Sequence, residues 1–243
     1  MIESLFWGSI AAGSLLIGAV IAMVVRLPRR VLGAIMAFGV GVLISAVAFE
    51  LAEEAFKQAG ASIWLTVGLG LGALTFFVGD LLIDRMGGRH RKRAAGPDDN
   101  NSGPAIVLGS ILDGIPESIV LGLSIVHGGV VSVAMLVAVF ISNLPEAIGA
   151  TAGLRKSGWR TPPLIGMWAL VVVVSGSASL AGYALFDKAP ADVTAFTLAF
   201  SAGALLTMLA DTMMPEAYNE SGQAAGIITT LGFGVAFWIS MLS

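Results

Sequence analysis

Asp113-Gly114-Ile115-Pro116-Glu117-Ser118 and Ser142-Asn143-Leu144-Pro145-Glu146-Ala147 each set a proline-glutamate pair in the middle of a long apolar run. A carboxylate at membrane depth costs about 2.5–3.5 kcal/mol on insertion scales, so Asp113, Glu117 and Glu146 demand an offset. A bound cation, a proton or a water-filled path supplies one, and all three point to ion handling. Proline inside a helix removes one hydrogen bond and displaces the carbonyl four residues earlier, here Leu112 for Pro116 and Ile141 for Pro145. Each segment therefore offers a backbone oxygen one residue before its polar cluster. Asp113 and Glu117 are four apart and share a helix face, as do Ser142 and Glu146. Two such faces packed together form a pocket of oxygen donors. In the alternative reading the prolines only bend their helices and the carboxylates are protonated and hydrogen-bonded.

The surrounding runs are membrane spans by composition. Of 243 residues, 56% are hydrophobic and 12% charged, too few charges to cover a soluble domain of this size. The mean hydropathy is +0.90. With about 20 apolar residues per spanning helix, the chain divides into eight spans, at roughly 5–25, 31–54, 62–83, 104–126, 130–153, 163–186, 193–216 and 223–242. The alternating pattern of a barrel is absent, so the expected fold is an all-α polytopic membrane protein forming one transmembrane domain over 1–243.

Basic residues give the orientation. Arg26, Arg29 and Arg30 lie in the first loop, Arg85, Arg89, Arg91, Lys92 and Arg93 in the third, and Arg155, Lys156 and Arg160 in the fifth, leaving only Lys57 and Lys188 on the other side. The positive-inside rule then places both termini outside, with a cytoplasmic loop at about 85–103. Glu3 is the only charge before the first run and no cleavage site follows it, so that run is expected to be a permanent helix. The basic cluster from Arg89 to Arg93 reads as a topology determinant in preference to a lipid or nucleic-acid patch, and no nucleic-acid partner is expected. Cysteine is absent, which removes disulfides and thiolate metal sites together.

An internal repeat emerges at an offset of 162. Phe38, Gly41, Leu43, Ala48, Glu54, Ala55 and Gly60 match Phe200, Gly203, Leu205, Ala210, Glu216, Ala217 and Gly222, and Ser45 and Phe56 nearly match Thr207 and Tyr218. These positions fall in spans two and seven, which the topology runs in opposite directions. Spans one to three and six to eight are then expected to be inverted copies around spans four and five, an arrangement that places a transport site near the midplane.

At these residues the chain resembles the ZIP (Zrt-, Irt-like protein) divalent metal transporters. That family has eight helices with both ends outside, a 3+2+3 arrangement with inverted outer triplets, and a metal site from helices four and five. Its helix-four motif is His-Asn-x-Pro-Glu-Gly, with a similar Pro-Glu motif in helix five. Pro116, Glu117, Pro145 and Glu146 match. Asp113 stands at the usual histidine, Gly114 at the asparagine, and Ser118 and Ala147 replace the following glycines, while Ser142 and Asn143 occupy the corresponding places in helix five. The resemblance implies a primary metal site at Asp113, Glu117 and Glu146, with Ser142 as a weak or outer ligand. It also implies an incomplete second site, because Gly114 has no side chain, Asn143 replaces an acid and span six lacks a carboxylate before Asp187. One metal ion is expected, as substrate. An imidazole-free and thiolate-free set favours Mn²⁺ or Fe²⁺ more than a histidine site does, and carboxylates also bind Zn²⁺.

Other polar residues are placed along a path. Ser45 and Thr207 are candidates to face the site, although a hydroxyl in a transmembrane helix often bonds its own backbone. Glu50, Glu53 and Glu54 near the outer end of span two form a candidate entrance, and Asp211 and Glu216 of span seven a candidate exit. His90 and His127 fall in loops. Small residues four apart, such as Ser9 with Gly13 and Gly68 with Gly72, suit either a homodimer interface or the internal bundle. The expected function is movement of divalent Zn, Mn or Fe toward the cytoplasm across the plasma membrane by alternating access, with no organic cofactor. Alternatives are a proton-coupled carrier of another ion or solute and a non-transporting metal sensor. An enzyme is not expected: the HExxH and GxSxG patterns and any cysteine-histidine pair are missing.

Overall fold

The computed structural model describes residues 1–25, 27–88, 103–129 and 131–241. The described residues are almost entirely helical, and seven helices are long and apolar enough to cross a membrane: α1 Ile2–Val24, α2 Arg29–Ala59, α3 Ile63–Gly87, α4 Pro104–Val126, α5 Val133–Lys156, α6 Thr161–Phe186 and α7 Ala191–Ser221. The eighth apolar helix, α8 Ala224–Ser240, has 17 residues, about 25 Å of rise. This is the architecture of a multi-pass helical membrane protein. The basic cluster from Arg89 to Arg93, with His90, and the following turn-rich stretch to Ser102 lie outside the described residues. Pro116 and Pro145 sit inside α4 and α5, which continue as helices on either side of them.

The helices α2 and α7 exceed the spans expected from hydropathy. Each has 31 residues, about 46 Å of rise against the roughly 30 Å of a hydrocarbon core. Both are interrupted by π-helical turns, Val47–Ala52 in α2 and Leu209–Met213 in α7. Both end on a glycine in a backbone region closed to other residues, Gly60 at φ 60° and ψ −151° and Gly222 at φ 65° and ψ −146°. The turns begin at Val47 and Leu209, so the 162-residue offset seen in the sequence recurs in the backbone. The start of α2 at Gly33 lies against Glu220 and Ser221 at the end of α7, and the two helices run antiparallel.

Close backbone approach holds the bundle together. Gly41 of α2 packs on the Thr229 carbonyl of α8, and Gly232 of α8 packs on the Phe38 carbonyl of α2. Gly203 of α7 meets the Leu69 carbonyl of α3, and Gly72 of α3 meets the Phe200 carbonyl of α7. The Thr229 hydroxyl adds a bond to the Ala37 carbonyl at 3.0 Å. On the other side of the bundle α1 packs on α5 and α6, and α6 packs on α4. Lipid tails are as apolar as leucine, so small residues that admit dispersion contacts supply the association that water supplies to soluble bundles. At the end of the bundle where α1 finishes, Arg155 donates to the Met23 carbonyl at 2.9 Å and satisfies one of the terminal acceptors.

Because a methyl at Gly41 or Gly203 meets a backbone carbonyl that cannot rotate away, Gly41→Ala and Gly203→Ala are each expected to destabilise the purified protein by about 1–3 kcal/mol. Gly70→Ala and Gly234→Ala, which point into open space, serve as neutral controls in thermal melts monitored by size-exclusion recovery.

Candidate functional site

Helix periodicity arranges Ser110, Asp113 and Glu117 on one strip of α4, with Ser142, Asn143 and Glu146 on the facing part of α5. All are buried, with exposures of 4% for Ser110, 3% for Asp113, 1% for Glu117 and 7% for Glu146. Ser110 donates its hydroxyl proton to Glu146 Oε1 at 2.6 Å. Fourteen residues along α4 and fourteen back along α5, the Ser132 N–H donates to Ser124 Oγ at 3.1 Å. One antiparallel register therefore joins the two helices. At about 1.5 Å of rise per residue it sets Asp113 level with Asn143, Gly114 with Ser142 and Glu117 with Val139, about 4.5, 6 and 10.5 Å beyond the Ser110 level.

Around Gly114 and Ser142 the bundle narrows to small residues. Gly39 of α2 lies against the Ser142 backbone, and the Ser175 hydroxyl of α6 stands 3.0 Å from where a Gly114 side chain would begin. Span six thus brings a hydroxyl to this level in place of a carboxylate. Ser142 itself donates to the Val139 carbonyl at 3.0 Å, which uses its proton and leaves its lone pairs.

The sequence-predicted residues separate into those this site brings together and those it does not. Asp113, Glu117, Ser142, Asn143 and Glu146 share the α4–α5 seam. Among the described residues, however, no three histidine, aspartate or glutamate side chains gather into a group fit to hold a metal ion. The Ser110–Glu146 bond lies about three residues, or 4.5 Å of rise, along the seam from the Asp113 level. Ser110 was not singled out from the sequence, although its spacing of three from Asp113 places it on the same strip.

Ser45 lies outside this level. Gly39 faces Ser142, and Ser132 donates to Glu50 Oε2 at 2.7 Å, so α2 also runs antiparallel to α5 and Ser45 is level with Leu136, about 9 Å from the Ser142 level. Ser45 is 1% exposed, and its hydroxyl has no hydrogen-bond partner among the described residues. It sits within an apolar layer of Val42, Leu43, Ala46, Val120, Leu121 and Met135. Thr207, its repeat counterpart, donates to the Gly203 carbonyl at 2.9 Å, the backbone bond expected of a helical hydroxyl.

Beyond that layer opens a cavity of 960 Å³, whose walls include Glu50, Glu53, Glu54, Ser132 and Ser240, with Val120, Leu123 and Met135 at the α4–α5 side. Glu50 receives the Ser132 hydroxyl and, at 2.9 Å, the Ser240 hydroxyl. Glu53 pairs with Lys57 at 2.8 Å, and Gln58 donates to Glu54 at 2.9 Å. Val120 and Ser124 continue the strip that carries Glu117, so one helical turn of apolar side chains separates the acidic cavity from the nearest buried carboxylate. On α7 Asp211 is exposed and Glu216 is buried, and the contact of Gly33 with Glu220 and Ser221 sets them about level with Val42 and Ala37 of α2. No protein-family model and no curated protein matches the chain, so the likeness to ZIP transporters rests on the two proline-glutamate segments and the order of the spans.

Proposed function

We propose that the chain is a divalent metal cation transporter of divergent ZIP type. It carries Mn²⁺, Fe²⁺ or Zn²⁺ toward the cytoplasm across the plasma membrane, with both termini outside. The arrangement is 3+2+3, with α1–α3 and α6–α8 as inverted copies around α4 and α5. Asp113, Glu117 and Glu146 bind the ion as it passes, with Ser142 and Asn143 beside them. Glu50 and Glu54 gather cations in the acidic cavity, and Asp211 and Glu216 line the exit. The observation that carries this reading is the burial of three carboxylates along one seam between two proline-containing helices. Carboxylates at this depth are costly for a bilayer protein to hold in ionised form, and a passing cation offsets that cost.

A second reading, a proton-coupled carrier of another ion or solute, draws on a different observation. No three acids form a metal-holding group among the described residues, and Glu146 is held by a serine hydroxyl, a geometry that also suits a carboxyl group that gains and loses a proton. Flux into proteoliposomes separates the readings, since metal uptake distinguishes the first from the second and from a non-transporting sensor.

If the ion binds these carboxylates directly, Glu117→Ala and Glu146→Ala each lower Mn²⁺ uptake by more than about 100-fold, beyond what loss of an outer-shell partner costs. Size-exclusion profiles in detergent check that both variants remain folded. Uptake at the wild-type rate in either variant removes that residue from the site.

Asp113 tests selectivity. Placing imidazole there should move the preference toward Zn²⁺ over Mn²⁺ by about tenfold, roughly 1.4 kcal/mol of differential binding. Competition binding with the Asp113→His variant measures it, and an unchanged ranking shows that Asp113 does not touch the ion.

A further inference from the structure

The acidic cavity beside α2 is larger than a metal ion needs, and partly apolar. Its 960 Å³ lie in the range of sites that take whole organic molecules. Glu50, Glu53 and Glu54 of α2 supply acidic wall, while Val120 and Leu123 of α4, Met135 of α5 and Leu198 of α7 supply apolar wall. Phe49 of α2 and Phe237 of α8 add two aromatic rings whose centroids are 4.9 Å apart.

The charge balance of these walls is negative. Lys57 offsets Glu53 at 2.8 Å. Glu50 takes hydrogen bonds from the Ser132 and Ser240 hydroxyls and Glu54 from the Gln58 amide, all neutral donors. Neutral donors do not discharge a carboxylate, so the cavity attracts a cation. The acids do not converge, however: among the described residues no three of them gather into a group fit to hold a metal ion. A small divalent ion needs converging oxygens, whereas a large organic cation spreads its charge over its surface and gains from apolar and aromatic walls as well.

We propose that this cavity is a binding site for a small organic cation of the quaternary ammonium class. The side chains of α4, α5 and α7 and the two rings receive its alkyl groups, and the α2 carboxylates hold its charge. A free cation suits these walls better than the phosphate-linked ammonium headgroup of a lipid, because Glu50 and Glu54 repel the phosphate. The site lies beyond the apolar layer from the α4–α5 seam, and it stands whether or not a metal ion is transported.

The two kinds of wall have separable consequences. Tetraethylammonium should bind more tightly than tetramethylammonium by about tenfold, since burial of two of its four additional methylene groups suffices for that factor. A merely acidic vestibule gives the reverse order, because the smaller ion brings its charge closer to the carboxylates. Glu50→Gln and Glu54→Gln together should weaken tetraethylammonium binding by about tenfold, because they remove the two charges that only neutral donors meet. Choline should bind more tightly than glycerophosphocholine.

Calorimetric titration of these compounds into maltoside-solubilised wild type and the double variant, each checked by size exclusion, measures all three comparisons. The stated orders in wild type, with weakened binding in the double variant, support the assignment. No binding of either tetraalkylammonium ion by wild type, an order favouring tetramethylammonium, or glycerophosphocholine bound as tightly as choline overturns it. Unchanged affinity in the double variant overturns it too, and the wild-type comparisons decide the matter where that variant does not fold. Mn²⁺ uptake into proteoliposomes is read separately, so failure of the metal-transport reading and failure of this one are distinguishable.

Discussion

Hiding three carboxylates from lipid is the constraint on which the arrangement depends. Asp113, Glu117 and Glu146 lie on α4 and α5, so those two helices must occupy the interior and the others must cover them. A larger share of α4 and α5 is buried than of α1, α3 or α6, whose outer faces carry most of the exposed leucine, valine and phenylalanine, and α2 and α7 are buried as fully as α4 and α5. Covering a polar seam closely requires thin helices at the crossings. Gly39 lies at the Ser142 level, Gly18 packs on the Leu144 carbonyl and Gly182 on the Ile119 carbonyl, each beside one of the two polar segments. The glycine content thus serves the site as well as the bundle.

The longest helices share a second device, an acid carried on a π-helical turn. A single-turn π insertion adds a residue without ending a helix and rotates the face that follows, and such turns gather at functional positions. In α2 the turn carries Glu50, which reaches hydroxyls on α5 and α8 at once. In α7 the matching turn carries Asp211. Because α2 and α7 run antiparallel, the two matching turns proceed in opposite directions along the bundle. Glycine at positions 60 and 222 then stops each helix abruptly, which lets α3 and α8 begin within three residues.

Much of this was legible in the residues. Long apolar runs located the helices to within a few positions at most ends, because hydropathy and backbone satisfaction in lipid act through composition. The exceptions are physical. The ends of α2 and α7 contain Glu53, Glu54, Lys57, Glu216 and Glu220, so their apolar signal stops while the helix continues into a polar setting. The π turns have no pattern of their own in composition. Gly41 and Gly203, matched at the 162-residue offset, both face a neighbouring helix's backbone, so that match marks geometry as well as residue type. The seam residues were legible as carboxylates out of place. Ser110 was not, since a lone serine in an apolar helix carries no signal until its partner across the seam is known. Ser45 shows the reverse difficulty, because its repeat relation suggested the site and the register places it in the apolar layer beyond.

That layer bears on how the two polar regions communicate. One turn of Val120, Leu121 and Met135 stands between the acidic cavity and Glu117, and a charged solute cannot cross it without displacing side chains or bringing water. Ser45 lies within it, a buried hydroxyl with no hydrogen-bond partner among the described residues, and such a group costs about 1–3 kcal/mol where nothing satisfies it. Water entering the layer would satisfy that hydroxyl. The opposing term is the exposure of Val120, Leu121 and Met135 to water, at about 25 cal/mol per Å² of apolar surface. The two terms oppose each other, so the apolar surface that water would meet sets how strongly the layer stays dry.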